Sequence, residues 1–583
     1  MNTKMKNLSY KITVVFLSIL LSSISLSCDD YLEKPPGVDV TEDTIFSSPV
    51  QVDYFVAGTY FMGVKSDFPY WNDHDRSDIG WGAATDEAEI TQGWYWCQAP
   101  WNAGGMSPSN TGDLRFTTHW KAIRRANTII ERIDNAPFDD PAFKRRVKGE
   151  GYCIRALNYF ELLRKYGGVP ILRERVDIGG NLKIPRSTVK EVVQFILDDC
   201  KEAISLLPKP NELSTSERGR LTNLAAMCLK ARTLLYAASP TFNTAKPYLN
   251  FGTNNDLIIL GDYDKERWKE AADAAKDVLD EAARTGVKLV KNKKDDATGE
   301  DISYLYIWDQ PDNEEVILAD QCRGKVGTGH FPWNGQIPSV VGGSGGGLCM
   351  TFNFVMKYET KNGTPQTWNM DGGDDLMAKY EELDPRFRQT ATYHGRPWNT
   401  TDNLSMDLSE TGNDKCITGQ YMHKPVPLAV SRRDNVRVEP KGCIFRLAEF
   451  YLSYAEALNE YYDVPPEEAY DAVDEIRGRV GMPKLPRNLS QSEFRERVRN
   501  ERAIELCMEG HRLYDTRRWE ICEQDGVMRG NMYGIKIYKI DGSKECRYEP
   551  YVFEVRTFTK KMYRHPFSTG EMDKGYLIQN PGY

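Results

Sequence analysis

The chain is poor in the residue patterns that metal and redox chemistry need. Its seven histidines are scattered and form no H-E-x-x-H, and its twelve cysteines contain no C-x-x-C, so neither zinc-ligand spacing nor a thioredoxin-like motif is present. No metal ligand set and no cofactor are expected. Excess positive charge is missing too: 75 Lys and Arg against 84 Asp and Glu give a net charge of −9, which argues against a nucleic-acid partner, since phosphate binding needs a basic face. Beyond residue 27 no apolar run is long enough to span a bilayer. Eleven cysteines follow Cys28, an odd number that cannot all pair within the chain, so a full disulfide framework is not expected. Cys153, Cys200, Cys228 and Cys507 fall on apolar helix faces and read as core residues.

What is present is size and aromatic content. The 583 residues allow a large core or several domains, and 11% of them are aromatic, with 12 Trp and 31 Tyr. The first 27 residues read as a signal peptide: Lys4, Lys6 and Lys11 form a basic start, and Ile12 to Ser27 an apolar stretch. Cys28 follows the small residue Ser27 and precedes Asp29 and Asp30, the pattern of a lipoprotein site whose cysteine becomes the lipidated first residue. Ser25, three before the cysteine, departs from the Leu usual there, and Leu26 lies one later.

Helical periodicity then dominates. A helix is expected after Ser47, Ser48 and Pro49; others span Trp120 to Ile133, Pro141 to Tyr166, Leu221 to Ala238, Asp264 to Ala283, Leu447 to Tyr462 and Pro465 to Gly481. Thr188 and Glu191 form a capping box for one more, with Val189, Val192, Val193, Ile196 and Cys200 on its stripe. The lengths suit tetratricopeptide-like pairs. The fold class is therefore all-α dominated, a superhelix of tetratricopeptide-like helix pairs with a long irregular loop-rich insertion carrying short strands. Three parts are expected after the signal peptide: 28–285, the insertion 286–440, and 441–583 with an extended tail from Lys560.

Two stretches break the helical pattern. Residues 70–101 follow neither period yet hold Trp71, Trp81, Trp94, Trp96 and Trp101, five of the twelve tryptophans. In the insertion, glycines cluster at 342–347, Glu315 to Ala319 reads as a strand, and Trp308, Trp333, Trp368 and Trp398 lie among polar residues. Gly342 to Gly346 matches G-x-S-x-G, but a serine in any glycine run does so, and no periodic helix follows. Asp371, Asp374 and Asp375 lack the calcium-loop pattern and read as a solvated turn.

The most heavily specified stretch is 489–520. Ser490 and Glu493 form a capping box, while Ala503, Leu506, Cys507, Gly510 and Tyr514 make one apolar stripe, with Gly510 admitting a close backbone. Glu509 with Arg512 and Asp515 with Arg518 are spaced to pair. Glu505 and Glu509 have the spacing of a catalytic carboxylate pair, but two carboxylates on one helix hemmed by arginines are better read as a structural ion network.

Six stretches in order, RALNYFELLRKYGGVP (155–170), LKARTLLYAASP (229–240), LAEFYLSYAEALN (447–459), IRGRVGMP (476–483), NERAIELCMEGHRLYDTRRW (500–519) and the terminal QNPGY, resemble the SusD-like (RagB/SusD) outer-membrane lipoproteins of Bacteroidetes. The resemblance implies a lipid-anchored helical protein with four tetratricopeptide-like pairs. It also implies a non-catalytic role: a lid that captures glycan for a SusC-like TonB-dependent transporter, facing the cell surface. Under it the aromatic loops become sugar-stacking platforms, since indole faces suit the C–H faces of sugars. The candidates are Trp94, Trp96, Trp101 and Trp333, with Trp71, Trp81 and Trp398 behind them, and Cys28 for lipidation. The alternatives left open are a peptide- or glycoprotein-binding member of the same family, a glycoside hydrolase, and a scaffold.

Overall fold

The computed structural model describes residues 41–65, 81–90, 97–176, 179–180, 183–296, 298–310, 312–320, 348–397, 405–424, 427–428 and 441–583. Among them, 41–55 with Asn135–Asp139 make one compact unit and 56–134 with Asp140–Tyr583 another. The small unit holds a short helix, Glu42–Ile45, capped by the Thr41 hydroxyl, and the start of α1 (Pro49–Gly63).

In the large unit the helices pack in chain order: α2 (Phe116–Arg132), α3 (Pro141–Tyr166), α4 (Val189–Leu206), α5 (Asn223–Ala238) and α6 (Glu266–Thr285), each on the next. The array continues after the insertion with α7 (Leu447–Tyr461), which packs on α6, and then α8 (Glu467–Arg479) and α9 (Gln491–Glu505). Local chemistry sets the ends. Asp140 accepts from the Phe143 N–H at 3.0 Å with Pro141 in the first turn, and α3 stops where Gly167 takes φ +81°. The capping boxes at Thr188/Glu191 and Ser490/Glu493 both form.

The 489–520 stretch is not one continuous helix. It breaks after Glu505, and α10 (Arg512–Arg518) begins only beyond a turn in which Met508 adopts φ +60° and Gly510 φ +78°. Gly510 serves that reversal rather than a close helix approach. The orphan carbonyls at the end of α9 are met from outside: the Tyr304 hydroxyl lies 3.1 Å from those of Ile504 and Glu505, and Arg446 donates to Glu505 at 2.6 Å. Met508 in turn donates its N–H to the Glu87 carboxylate at 3.1 Å. The break moves Glu509 out of reach of its expected partner: Glu509 pairs with Arg446 (2.7 Å) and Lys424 (2.6 Å), and Arg512 with Asp86 (2.7 Å). Asp515 and Arg518 do pair, at 2.7 Å, and Asp515 also takes Arg502.

Small sheets tie the insertion to the array. β2 (Val316–Asp320), the strand expected at 315–319, pairs antiparallel with β6 (Gly442–Arg446). A four-stranded sheet has the order β1 (Ala88–Ile90), β3 (Leu348–Met350), β5 (Tyr421–Met422), β4 (Ala391–Thr392). The tail is less extended than expected, with helical turns at Lys560–Tyr563 and Thr569–Met572. It is preceded by a long hairpin absent from the sequence reading, β7 (Gly530–Lys539) and β8 (Cys546–Arg556). Gly419, at φ +86°, lets the turn before β5 press on this hairpin: a Cβ there would lie 2.4 Å from Ile535, whose N–H donates to Thr418 at 3.1 Å.

The junction is held by buried charge. Glu505 accepts from Arg446 (2.6 Å), Arg386 (3.1 Å) and Arg479; Glu501 from Arg386 (2.5 Å) and Arg477 (3.0 Å); Glu315 from Arg446 (2.9 Å) and Arg479 (3.0 Å). Burial alone would raise the Glu505 carboxyl, but Arg479, Arg446 and Arg386 together hold it well below the usual range. The ten described cysteines are free thiols, and Cys153, Cys200, Cys228 and Cys507 are buried.

Replacing Arg446 by Ala takes one guanidinium from three buried carboxylates, Glu315, Glu505 and Glu509, and is expected to cost about 3–5 kcal/mol. Thermal melting should show a clear drop, whereas Lys276→Ala, which opens an exposed pair with Asp280, should melt like the parent. Gly419→Ala adds strain of about 1–2 kcal/mol at a left-handed position, and hydrogen exchange should show faster exchange at the Ile535 amide.

Candidate functional site

The four-stranded sheet collects the roots of the tryptophan-bearing stretches. Ile90 pairs with Leu348, Cys349 with Tyr421, and Ala391 with Met422, so in this antiparallel register Ile90, Leu348, Met422 and Ala391 share one end. From that end the chain leaves β1 toward 91–96, enters β3 from 321–347, and leaves β5 toward 425–440. Trp94 and Trp96 lie in the first of these stretches and Trp333 in the second. Trp398 follows β4, which leaves from the opposite end.

Of the seven candidates, only Trp101 is described with its side chain, and it does not fit the role assigned to it. It lies in a helical turn, Gln98–Asn102, and is 2% exposed. His565 meets it edge-on at 5.0 Å, the Arg517 guanidinium lies 4.7 Å over its ring, and a Cβ at Gly112 would stand 2.8 Å from the indole nitrogen. Both faces are occupied by protein, so Trp101 is a core residue and not a sugar platform. Trp81 opens a single 3-10 turn, Trp81–Ala84, just before β1. Trp71, Trp94, Trp96, Trp333, Trp398, Cys28 and the Gly342 to Gly346 run lie outside the described residues. Trp308 and Trp368 are packed, the first against His423 at 5.7 Å and the second against Phe352 at 5.0 Å.

The sheet is fixed from beneath by buried polar groups. Asp86 takes the Nε and Nη2 of Arg512, both at 2.7 Å, with Lys357 at 3.4 Å. Glu89 takes Arg556 and Gln98, and 3.3 Å away the Asn102 amide. Burial pushes the Glu89 carboxyl up to about 7 against the pull of Arg556, and pushes Glu87 up to about 8. Gln420 donates to the Met350 carbonyl at 2.7 Å and accepts from the Tyr380 hydroxyl at 3.1 Å. His423 is kept neutral, its pKa lowered to about 4 by burial and then by Arg396.

Such groups hold a surface rigid. Glu505 and Glu509, the carboxylate pair whose sequence spacing is glycosidase-like, are sealed among Arg386, Arg446, Arg479 and Lys424. Asp371, Asp374 and Asp375 are exposed, and among the described residues no group of His, Cys, Asp or Glu is arranged to hold a metal ion. A concavity of about 380 Å³ is lined by Phe116, Trp120, Pro170, Leu172, Phe567 and Tyr576. Its residues come from three distant stretches, so no local pattern could have found it.

Comparison with known proteins agrees with this architecture. A family model described as the SusD family matches residues 314–583, and one described as starch-binding associating with outer membrane matches 30–235. A SusD-like protein of Formosa agariphila is 22% identical over 559 residues, covering 88% of this chain and 91% of its own. A solved SusD-like protein from Bacteroides fragilis is 25% identical with a TM-score of 0.74, covering 94% of this chain and all of its own. A SusD-like carbohydrate binding protein, also from Bacteroides fragilis, is 19% identical with a TM-score of 0.68, covering 92% and 99%. The two family models match the N-terminal and C-terminal parts of the chain, leaving 236–313 between them, the helix array matches the solved relatives, and the chain belongs to the SusD-like family.

Proposed function

We propose that the protein is a lipid-anchored glycan-binding protein of the outer membrane surface that delivers oligosaccharide to a SusC-like TonB-dependent transporter. The observation that carries this reading is family membership, in a family whose N-terminal model is described as starch-binding and outer-membrane associating and whose relatives include a carbohydrate binding protein. Cys28 is the lipid attachment point, and the transporter and the glycan are the partners. Trp94, Trp96 and Trp333 form the platform, rooted together at one end of the four-stranded sheet, with Trp71, Trp81 and Trp398 around it. No catalytic step is part of the reading, because Asp86 and Glu505 are buried against arginine and Glu87, its pKa raised to about 8 by burial, is held inside the protein on the Met508 N–H.

Affinity electrophoresis against a panel of polysaccharides tests it. The parent should be retarded by at least one glycan, and Trp94→Ala, Trp96→Ala or Trp333→Ala should reduce retardation at unchanged melting temperature. Trp101→Ala should instead lower stability, by about 3–5 kcal/mol for a buried indole. If no glycan retards the parent, the carbohydrate reading falls and a peptide ligand takes its place; a glycan shortened over time would revive the hydrolase.

A further inference from the structure

A carboxylate sits where packing alone would ask for an apolar side chain. Glu89 is the middle residue of β1, 2% exposed and opposite Cys349 in the antiparallel register. Burying a charge there is costly unless its lone pairs are met. Four donors meet them: Oε1 accepts from the Ile90 N–H at 2.8 Å and from the Gln98 amide, and Oε2 accepts from the Asn102 amide at 3.3 Å and from Nη2 of Arg556. A carboxylate offers about four lone-pair sites, so the set is full.

The donors bracket one stretch of chain. Ile90 ends β1 just before 91–96, and Gln98 and Asn102 belong to the helical turn just after it, so both flanks of the stretch that carries Trp94 and Trp96 are fastened to one side chain. The end of β8 reinforces the tie. Arg556 also donates to the carbonyls of Thr85 and, at 3.1 Å, Ala88, and the next residue, Thr557, donates its N–H to the Asn102 carbonyl at 2.9 Å. The charged and titratable groups that face Glu89 are Arg556 and Glu554 of β8, themselves 2.8 Å apart, the Cys97 thiol, and Cys349 across the ladder. A proton on Glu89 converts one acceptor site into a donor. It can point toward Glu554, but the oxygen that carries it gives up one of its donors, and one flank of the stretch loses a bond. Burial holds the carboxyl up at about 7, so the change falls within the ordinary range of pH.

We propose that Glu89 is a positioning residue for the tryptophan platform: its ionised carboxylate clamps both flanks of 91–96 to β8 through Arg556, and protonating it weakens glycan binding. The effect on folding has the opposite sign. A carboxyl raised above its ordinary 4.5 keeps, in the folded chain, a proton that the unfolded chain has already lost, so its contribution to stability is fullest on the acid side and is lost as the pH rises through about 7. Weaker binding on acidification through this group is therefore not a melting effect, which sets it apart from a merely structural ion pair.

Because this role rests on the proposed glycan platform, the full mature chain is tested with and without glycan. With the polysaccharide that most retards the parent, affinity electrophoresis should show binding about fivefold weaker at pH 6 than at pH 8, the worth of one hydrogen bond. Glu89→Gln, which cannot ionise, should bind at both pH values as weakly as the parent does at pH 6. Asp199→Asn, which opens an equally buried pair with Arg155 (2.7 Å) in the helix array, should lower the melting temperature and leave the parent's pH profile unchanged. Without glycan, hydroxyl-radical oxidation of Trp94 and Trp96 and exchange of the Ile90 amide should differ between parent and Glu89→Gln at pH 8 and coincide at pH 6. If Glu89→Gln does not fold, Gln98→Ala, at a half-buried residue, takes its place and should weaken binding at pH 8. A parent profile flat between pH 6 and pH 8, or a Glu89→Gln profile as steep as the parent's, would overturn the role. If no polysaccharide retards the parent, the carbohydrate reading falls and the ligand-free comparison decides the clamp: identical oxidation and exchange in parent and variant at pH 8 would overturn it.

Discussion

The Glu505 carboxylate is the point on which the architecture turns. It is fully buried, at the last turn of α9, and three arginines converge on it from α8, from the end of β6 and from the insertion. Removing any one of them takes a donor from a buried carboxylate that has no water to replace it. Net stability is a smaller part of the effect than specificity: an ion lattice this dense tolerates one register and one helix end. The strained φ of Met508 is sustained by it, with Glu87 on its N–H and Arg446 and Tyr304 on the carbonyls that precede it.

From that junction the constraint passes to the sheet. Lys424 follows β5 and Arg386 lies in the helical turn before β4, so two strands of the four-stranded sheet are joined to the lattice by a cation, while Arg446 closes β6 of the two-stranded sheet. A binding loop gains affinity when its roots are held and only its tip is free to adapt. On the proposed reading the roles are separate: charge fixes the sheet, and Trp94, Trp96 and Trp333 meet the ligand.

Much of the helical half was legible in the sequence because its signals are local. Thr188 with Glu191, Ser490 with Glu493, and Gly167 each specify a helix end within four residues. The charged segment was legible as a brace but not in its pairing, since Glu509 and Arg512 are neighbours only if the helix continues, and Met508 and Gly510 end it. Trp101 illustrates a further limit. A tryptophan in a loop reads the same whether it faces solvent or His565 and Arg517, partners that lie over four hundred residues away. The hairpin β7–β8 carries a local signal, Asp541-Gly542 between stretches rich in Tyr, Val and Ile.

Hydroxyl-radical footprinting of the intact chain with and without a polysaccharide that retards it tests the central claim most directly. Protection by the glycan at Trp94, Trp96 and Trp333, with Trp101 unreactive in both states, is the predicted result. Protection confined to Phe116, Trp120 and Tyr576, with Trp94, Trp96 and Trp333 unchanged, would contradict the account and move the binding site to the concavity those three line.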